Sequence, residues 1–312
     1  MLKYFIIALV IISPFFFTGL INKVKAIWAG RKGASVLQPY FDFARLIQKG
    51  EVISKTTSFI FQISPSIDIA SSLFALMFIP LPFLGSVISF NGDFILFSYT
   101  LGFSKFLMIL AALDTGSSFE GIGASREATY STIVETAFFI IMGSLALLTN
   151  QISFSSIFAV LNMSTGYTIL IKILLVISLF IMVLAEGSRI PIDDPNTHLE
   201  LTMIHEVMIL DYSGTDLAFI LYSTALKMVI VSILIANLLV PLYLTEPIAL
   251  MLFTFILILI FMIIGLVESL IARLRISHVP QFIFFMTAFS LIAFAIIAFF
   301  LRAGIQFSGK GL

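Results

Sequence analysis

The sequence predicts an all-α, polytopic membrane protein that crosses the bilayer about eight times. Three observations carry this prediction. Sixty per cent of the 312 residues are hydrophobic and only 11% are charged. Mean hydropathy is +1.14. The apolar runs are long enough for spanning helices, whereas barrel strands would be about ten residues long and would alternate in polarity. The formal net charge is zero and there is no cysteine. Composition therefore gives no nucleic-acid signal, and disulfides, thiolate zinc sites and iron–sulfur clusters are excluded from this chain. Any redox metal that it serves must sit in another polypeptide.

The spans fall at about 4–22, 66–88, 94–113, 128–149, 168–185, 217–243, 247–270 and 280–303. The first reads as an uncleaved anchor, with Lys3 before it and Lys23, Lys25, Arg31 and Lys32 behind. That charge order puts the amino terminus outside. Loops 23–65, 114–127, 186–216 and 271–279 are then cytoplasmic and hold eleven of the 17 Lys and Arg residues, against three outside. Lys105, Lys172 and Lys227 fall inside spans. With no internal repeat and no low-complexity linker, residues 1–312 read as one membrane domain. Loops 23–65 and 186–216 are the expected docking surface for a peripheral module.

Within the first loop, QPYFDFARLIQKG reads as an amphipathic helix from Pro39 toward Gly50. Tyr40, Phe43, Ala44 and Ile47 form its apolar stripe, and Asp42, Arg45 and Lys49 face away. It either lies in the lipid interface or serves as a lid or docking surface.

Charge is most concentrated in residues 182–214, which hold six of the 17 carboxylates and two of the three histidines. The segment EGSRIPIDDPN has two prolines and reads as irregular. THLELTMIHEVMIL reads as a helix, with Thr197 as N-cap and Glu200 at N3 in a capping box. On that helix His198, Thr202, His205 and Glu206 form a polar stripe. His205-Glu206 is no zinc-protease signature, because Ile209 stands where the second histidine belongs. A metal site built from His198, His205 and Glu206 is an alternative to a proton relay through the same groups.

The fourth span carries Glu127 at its start and Glu135 roughly 12 Å deeper, within about 80° of the same face. A carboxylate at that depth needs a partner, a proton or water. Glu135 reads as a member of a proton pathway, or as a helix–helix hydrogen bond. Lys105 and Lys227, near the middle of their spans, are expected to neutralise Glu135 or Asp114 or to carry protons themselves. Asp68 and Glu268 read as interface markers. GSSFEGIGAS fails the nucleotide fingerprint, since Arg126 replaces the third glycine. It reads as a tight loop delivering Arg126 and Glu127.

Three of these segments, in order, resemble the membrane-subunit family shared by respiratory complex I (its H-type subunit 1) and group 4 [NiFe]-hydrogenases. They are LQPYFDFARLIQKGE, AEGSRIPIDDP and LDYSG. ALDTGSSFEGIGASRE and HLELTMIHEVMILDYSG are similar to the formate hydrogenlyase and hydrogenase-4 branch. The resemblance implies a non-catalytic membrane anchor in a prokaryotic cytoplasmic membrane, holding no cofactor itself. Nickel–iron and iron–sulfur centres would belong to its partners. Those partners would be hydrogenase-like large and small subunits, a ferredoxin-like iron–sulfur subunit and antiporter-like membrane subunits.

Carried over by motif, Glu135, Glu186, Arg189, Asp193, Glu200 and Asp211 match the family's polar path. His205, Glu206, Glu127, Asp114, Lys105 and Lys227 join that path from the reading of the residues. Asp193, Asp194, Arg189, Arg126 and Arg45 are expected at the docking loops. Ser188 replaces the family's Asn and Ile192 its Phe, which counts against a quinone site. A quinone-reducing subunit and a stand-alone ion transporter are the competing readings.

Overall fold

A computed structural model describes residues 2–81, 84–161, 166–193, 203–241 and 244–302. Asp194, Thr197, His198, Glu200 and Thr202 lie outside the described residues, so the capping box and half of the predicted polar stripe do too. The chain forms α1 (Leu2–Ile12), α2 (Pro14–Trp28), α3 (Gln38–Ile47), α4 (Phe59–Leu76), α5 (Asp93–Asp114) and α6 (Ser118–Thr149). It continues through α7 (Phe154–Val160), α8 (Gly166–Glu186), α9 (His205–Met208), α10 (Gly214–Leu239), α11 (Glu246–Leu270) and α12 (Val279–Arg302). Among the described residues, seven helices are long and apolar enough to cross a membrane, and counting the bent pair α1–α2 as one span gives eight. The described residues are nearly all helical, as the sequence predicts.

The first span bends by 49° between α1 and α2. Pro14 causes this, because it lacks an N–H and its ring crowds the preceding turn. Hydroxyls take up carbonyls at the bend: Ser13 bonds Val10 O at 2.9 Å, Tyr222 bonds Ile11 O at 2.7 Å and Tyr40 bonds Ile12 O at 2.5 Å. A second internal proline, Pro65 in α4, cannot bond the carbonyl of Phe61. Tyr212 Oη donates to that carbonyl at 2.9 Å, its ring stacked on Phe61 at 4.0 Å.

The centre of the bundle is α10, whose apolar stretch is 78% buried, against at most 50% for the other six unbroken spanning helices. Two loop faces result. One gathers residues 29–58, 115–117, 187–193, 203–213 and 271–278. The other carries 77–81, 84–92, 150–161 and the end of α10, tied by Asp93 to Ser153 and Phe154 and by Asn237 to Pro80.

Four features depart from expectation. The predicted second span starts at Ser58, which caps α4 through Ile60 N–H at 3.3 Å, and ends before Pro80. The predicted loop 114–127 is mostly helix. Gly116 turns the chain at φ +72° and α6 begins two residues later. Glu127 therefore sits well inside a helix. Gly123 serves packing: a Cβ there would lie 2.2 Å from Val207 Cγ1 and 2.9 Å from Ile204 O. The predicted helix over 197–210 is, among its described residues, only His205–Met208.

The fourth departure is the face of α3. Pro39, Tyr40, Phe43 and Leu46 are partly covered, while Ala44 and Ile47 are exposed. An aromatic cluster sets this rotation. Phe15 holds Tyr40 at 5.6 Å and Phe43 at 5.0 Å, and Tyr222 closes on Phe43 at 6.1 Å.

Close backbone approach yields a stability prediction. A Cβ at Gly19 in α2 would fall 1.8 Å from Val36 O and 2.7 Å from its carbonyl carbon, which no rotamer change relieves. Gly19→Ala is expected to destabilise by about 1–3 kcal/mol. Gly143→Ala, where nothing lies within 4 Å, is expected to be neutral or slightly stabilising. Thermal denaturation of the detergent-purified proteins checks this: equal midpoints for the two variants would contradict the α2–Val36 contact.

Candidate functional site

The irregular stretch 187–193 is buried rather than laid on the surface. Ser188 takes φ +49° where α8 ends. Arg189 then reaches Glu268 of α11 at 3.5 Å, and the other oxygen of Glu268 holds Lys25 of α2 at 2.7 Å. Asp193 pairs with Arg273 at 2.9 Å and accepts the backbone N–H groups of Ile204 and His205 at 3.1 and 2.9 Å. Arg126 donates to Met203 O at 2.9 Å. Of the described residues expected at docking loops, Arg189 and Asp193 are thus bound inside this chain, and only Arg45 is well exposed. Glu268 is no interface marker, since its side chain is fully buried between two cations.

The intramembrane lysines find partners that sequence reading does not name. Lys105 Nζ lies 2.7 Å from Glu186 and 3.7 Å from Glu127. Lys227 pairs at 2.5 Å with Asp68, which also accepts from Ser104. Asp68 is 1% exposed and stands between α4, α5 and α10, so it too is no interface marker. The expected pairing of these lysines with Asp114 is not found. Asp114 accepts Ser58 N–H at 2.5 Å, at the start of α4, where a carboxylate suits the helix dipole. Asp68 was detectable in principle: Ser64, Ser71 and Ser72 make a polar face around it, and a mid-span Lys227 demands an anion.

Three cavities run in series from the loop face. The outermost, about 230 Å³, opens between α2, α3, α10 and residues 187–189. Phe15, Phe43, Leu46 and Met228 make its apolar wall, and Asp42, Arg189, His205 and Glu206 its polar one. The second shares His205, Ser188 and Thr224 with the first and is walled by Asp68, Lys105, Glu127, Glu186 and Lys227. Its volume is about 20 Å³, room for one or two waters. The third, about 10 Å³, shares Lys105 and Glu186 with the second and ends on Glu135. Glu135 fits because Gly102 has no side chain; a Cβ there would stand 2.9 Å from its Oε1.

The structure therefore brings together Glu206, His205, Glu127, Glu186, Lys105, Lys227 and Glu135. Asp211 stays apart and exposed. Its N–H donates at 3.3 Å to Glu120, a buried carboxylate that sequence reading passes over because it lies in the glycine run. Burial pushes the Tyr212 phenol up, so it remains a neutral donor to Phe61 O. Among the described residues, no group of three or more His, Cys, Asp and Glu side chains could hold a metal ion.

Comparison with known proteins agrees with the motifs. The chain is 30% identical to hydrogenase-4 component C of Escherichia coli K12 over 75% of its own length and 73% of the relative's. It is 25% identical to formate hydrogenlyase subunit 4 of the same organism, over 89% and 92%. The H-type subunit of the NADH-quinone oxidoreductase of Wolbachia pipientis wMel is 24% identical over 73% and 72%. The fold matches a chain of the membrane-bound sulfane sulfur reductase, an archaeal respiratory membrane complex. The TM-score is 0.80 at 22% identity, covering 94% of this chain and 97% of that one. Residues 2–299 match the family model described as NADH dehydrogenase, and the chain belongs to that family.

Proposed function

We propose that this chain is the membrane subunit of a hydrogenase-4 or formate hydrogenlyase-type respiratory complex. In this reading it couples redox chemistry in a peripheral module to proton movement across a prokaryotic inner membrane. The observation that carries the reading is the series of cavities from His205 and Glu206, through Glu186 and Glu127, to Glu135. Carboxylates and an imidazole arranged in series are the groups that relay protons in membrane proteins. A chain with no cysteine leaves the electron carriers to partners. Two relatives, a hydrogenase-4 component and a formate hydrogenlyase component, support the class of complex. Large and small hydrogenase-like subunits, a ferredoxin-like iron–sulfur subunit and antiporter-like membrane subunits complete it. Docking falls to the loop face that carries α3 with its exposed Arg45.

The outer cavity favours one second reading. An opening of about 230 Å³ with an apolar wall and a few converging polar groups suits an amphipathic ring compound. The Wolbachia relative comes from an NADH-quinone oxidoreductase. Quinone reduction beneath residues 187–193 is therefore the alternative.

Three measurements test these readings. Glu135→Gln is expected to leave the complex assembled and redox turnover present, while redox-linked acidification of inverted vesicles falls roughly tenfold, about 1.4 kcal/mol on the transfer barrier. Unchanged acidification would remove Glu135 from the path. Phe43→Trp narrows the outer cavity. It should leave hydrogen-linked activity intact under the first reading and abolish quinone-dependent activity under the second. Lys227→Met strands Asp68 as an unpaired buried charge and is expected to destabilise by roughly 3–5 kcal/mol, whereas Asp68→Asn with Lys227→Met recovers most of that loss. Equal yields of single and double variants in detergent would contradict the pairing.

A further inference from the structure

We propose that Lys105 is the gate of this pathway: it alternates between Glu186 and Glu135, so that the two sides are never open to each other at once. The proposal rests on the proton-path reading above and adds the residue that controls it.

Four observations place the gate. The second and third cavities meet only where Lys105 and Glu186 line both, so their 2.7 Å ion pair stands as the partition. One lysine faces three carboxylates: it touches Glu186, reaches Glu127 at 3.7 Å and lies within electrostatic range of Glu135. One positive charge cannot neutralise all of them. Glu186 Oε2 is buried with no hydrogen-bond partner among the described residues, so the carboxylate has a site for an incoming proton. Finally, Gly102, three residues before Lys105 on α5, leaves the slot in which Glu135 lies against that helix. The contrast is Lys227, which is held by Asp68, an anion that Ser104 also serves.

The proton balance is closed. With Lys105 on ionised Glu186, Glu135 holds a proton. A proton arriving from the His205 side adds to Glu186 and releases Lys105. The ammonium moves to Glu135, whose proton leaves on the far side. Glu186 then passes its proton to Glu135 as Lys105 returns. One proton crosses per cycle, and no electron moves within this chain.

The test uses the whole complex in sealed vesicles, with an imposed pH gradient and no redox substrate. Wild-type vesicles hold the gradient. Lys105→Ala joins the two cavities and is expected to dissipate it several-fold faster, and Lys105→Arg is expected to restore tightness. Gly102→Val fills the slot at Glu135. It should stay tight but lose redox-linked acidification while keeping redox turnover. A Lys105→Ala complex that holds the gradient as well as wild type overturns the gate, as does an equal leak with Arg. This readout is independent of pumping. A wild-type complex that moves no protons with turnover would sink the proton-path reading, whereas the leak measurement still decides whether Lys105 seals the partition.

Discussion

The helix arrangement depends on one constraint: a charge taken into the membrane interior must meet an opposite charge there. Lipid supplies no hydrophobic force between helices, and an unpaired buried ion is unfavourable by several kcal/mol. The ion pairs therefore act as the joints. Asp68–Lys227 fixes α4 to the central α10, and Lys105–Glu186 fixes α5 to α8. Lys25–Glu268 fixes α2 to α11, and Arg189 extends that joint to the buried stretch 187–193. Close-packed glycines cooperate with these pairs. Gly265 admits Val24 beside the Lys25–Glu268 joint, and Gly102 admits Glu135 beside Lys105.

The joints differ in kind. In the Asp68 pair Ser104 donates to the carboxylate and Ser223 to the Asp68 backbone carbonyl, and among the described residues each partner makes its ion pair with the other alone. Lys105 sits among more carboxylates than one ammonium can neutralise, next to two water-sized cavities. A pair of the first kind holds helices in place. A cluster of the second kind offers one ammonium more than one carboxylate partner, which is a physical requirement for a site whose pairing can change.

Much of this was legible in the sequence, for physical reasons. Spanning helices announce themselves by length and apolar composition, and the motif order identified the family. The concentration of charge in 182–214 pointed to the side chains that line the cavities. What escaped is what depends on pairing at a distance. Asp68 and Lys227 are 159 residues apart in sequence, so the serine face around Asp68 marks a polar site without naming its partner. The start of α6 escaped because glycine and serine lower helix propensity, while Gly123 is there to admit Val207 and the Ile204 carbonyl. The inward face of α3 turned by a residue because Phe15 and Tyr222, absent from any local pattern, fill its groove.

Residues 187–193 also show how a proline-broken segment is held in place. Their backbone closes only turns, and contacts with neighbouring segments do the rest. Asp193 takes the N–H groups of Ile204 and His205 while pairing with Arg273, and Pro191 O accepts Leu274 N–H at 3.2 Å. His205, at the wall shared by the first two cavities, is thereby tied through one carboxylate to the segment that follows α11. The irregular stretch thus joins Ile204 and His205 to the segment after α11 through one carboxylate and one carbonyl, contacts that a regular helix, with its own backbone groups already satisfied, would not make.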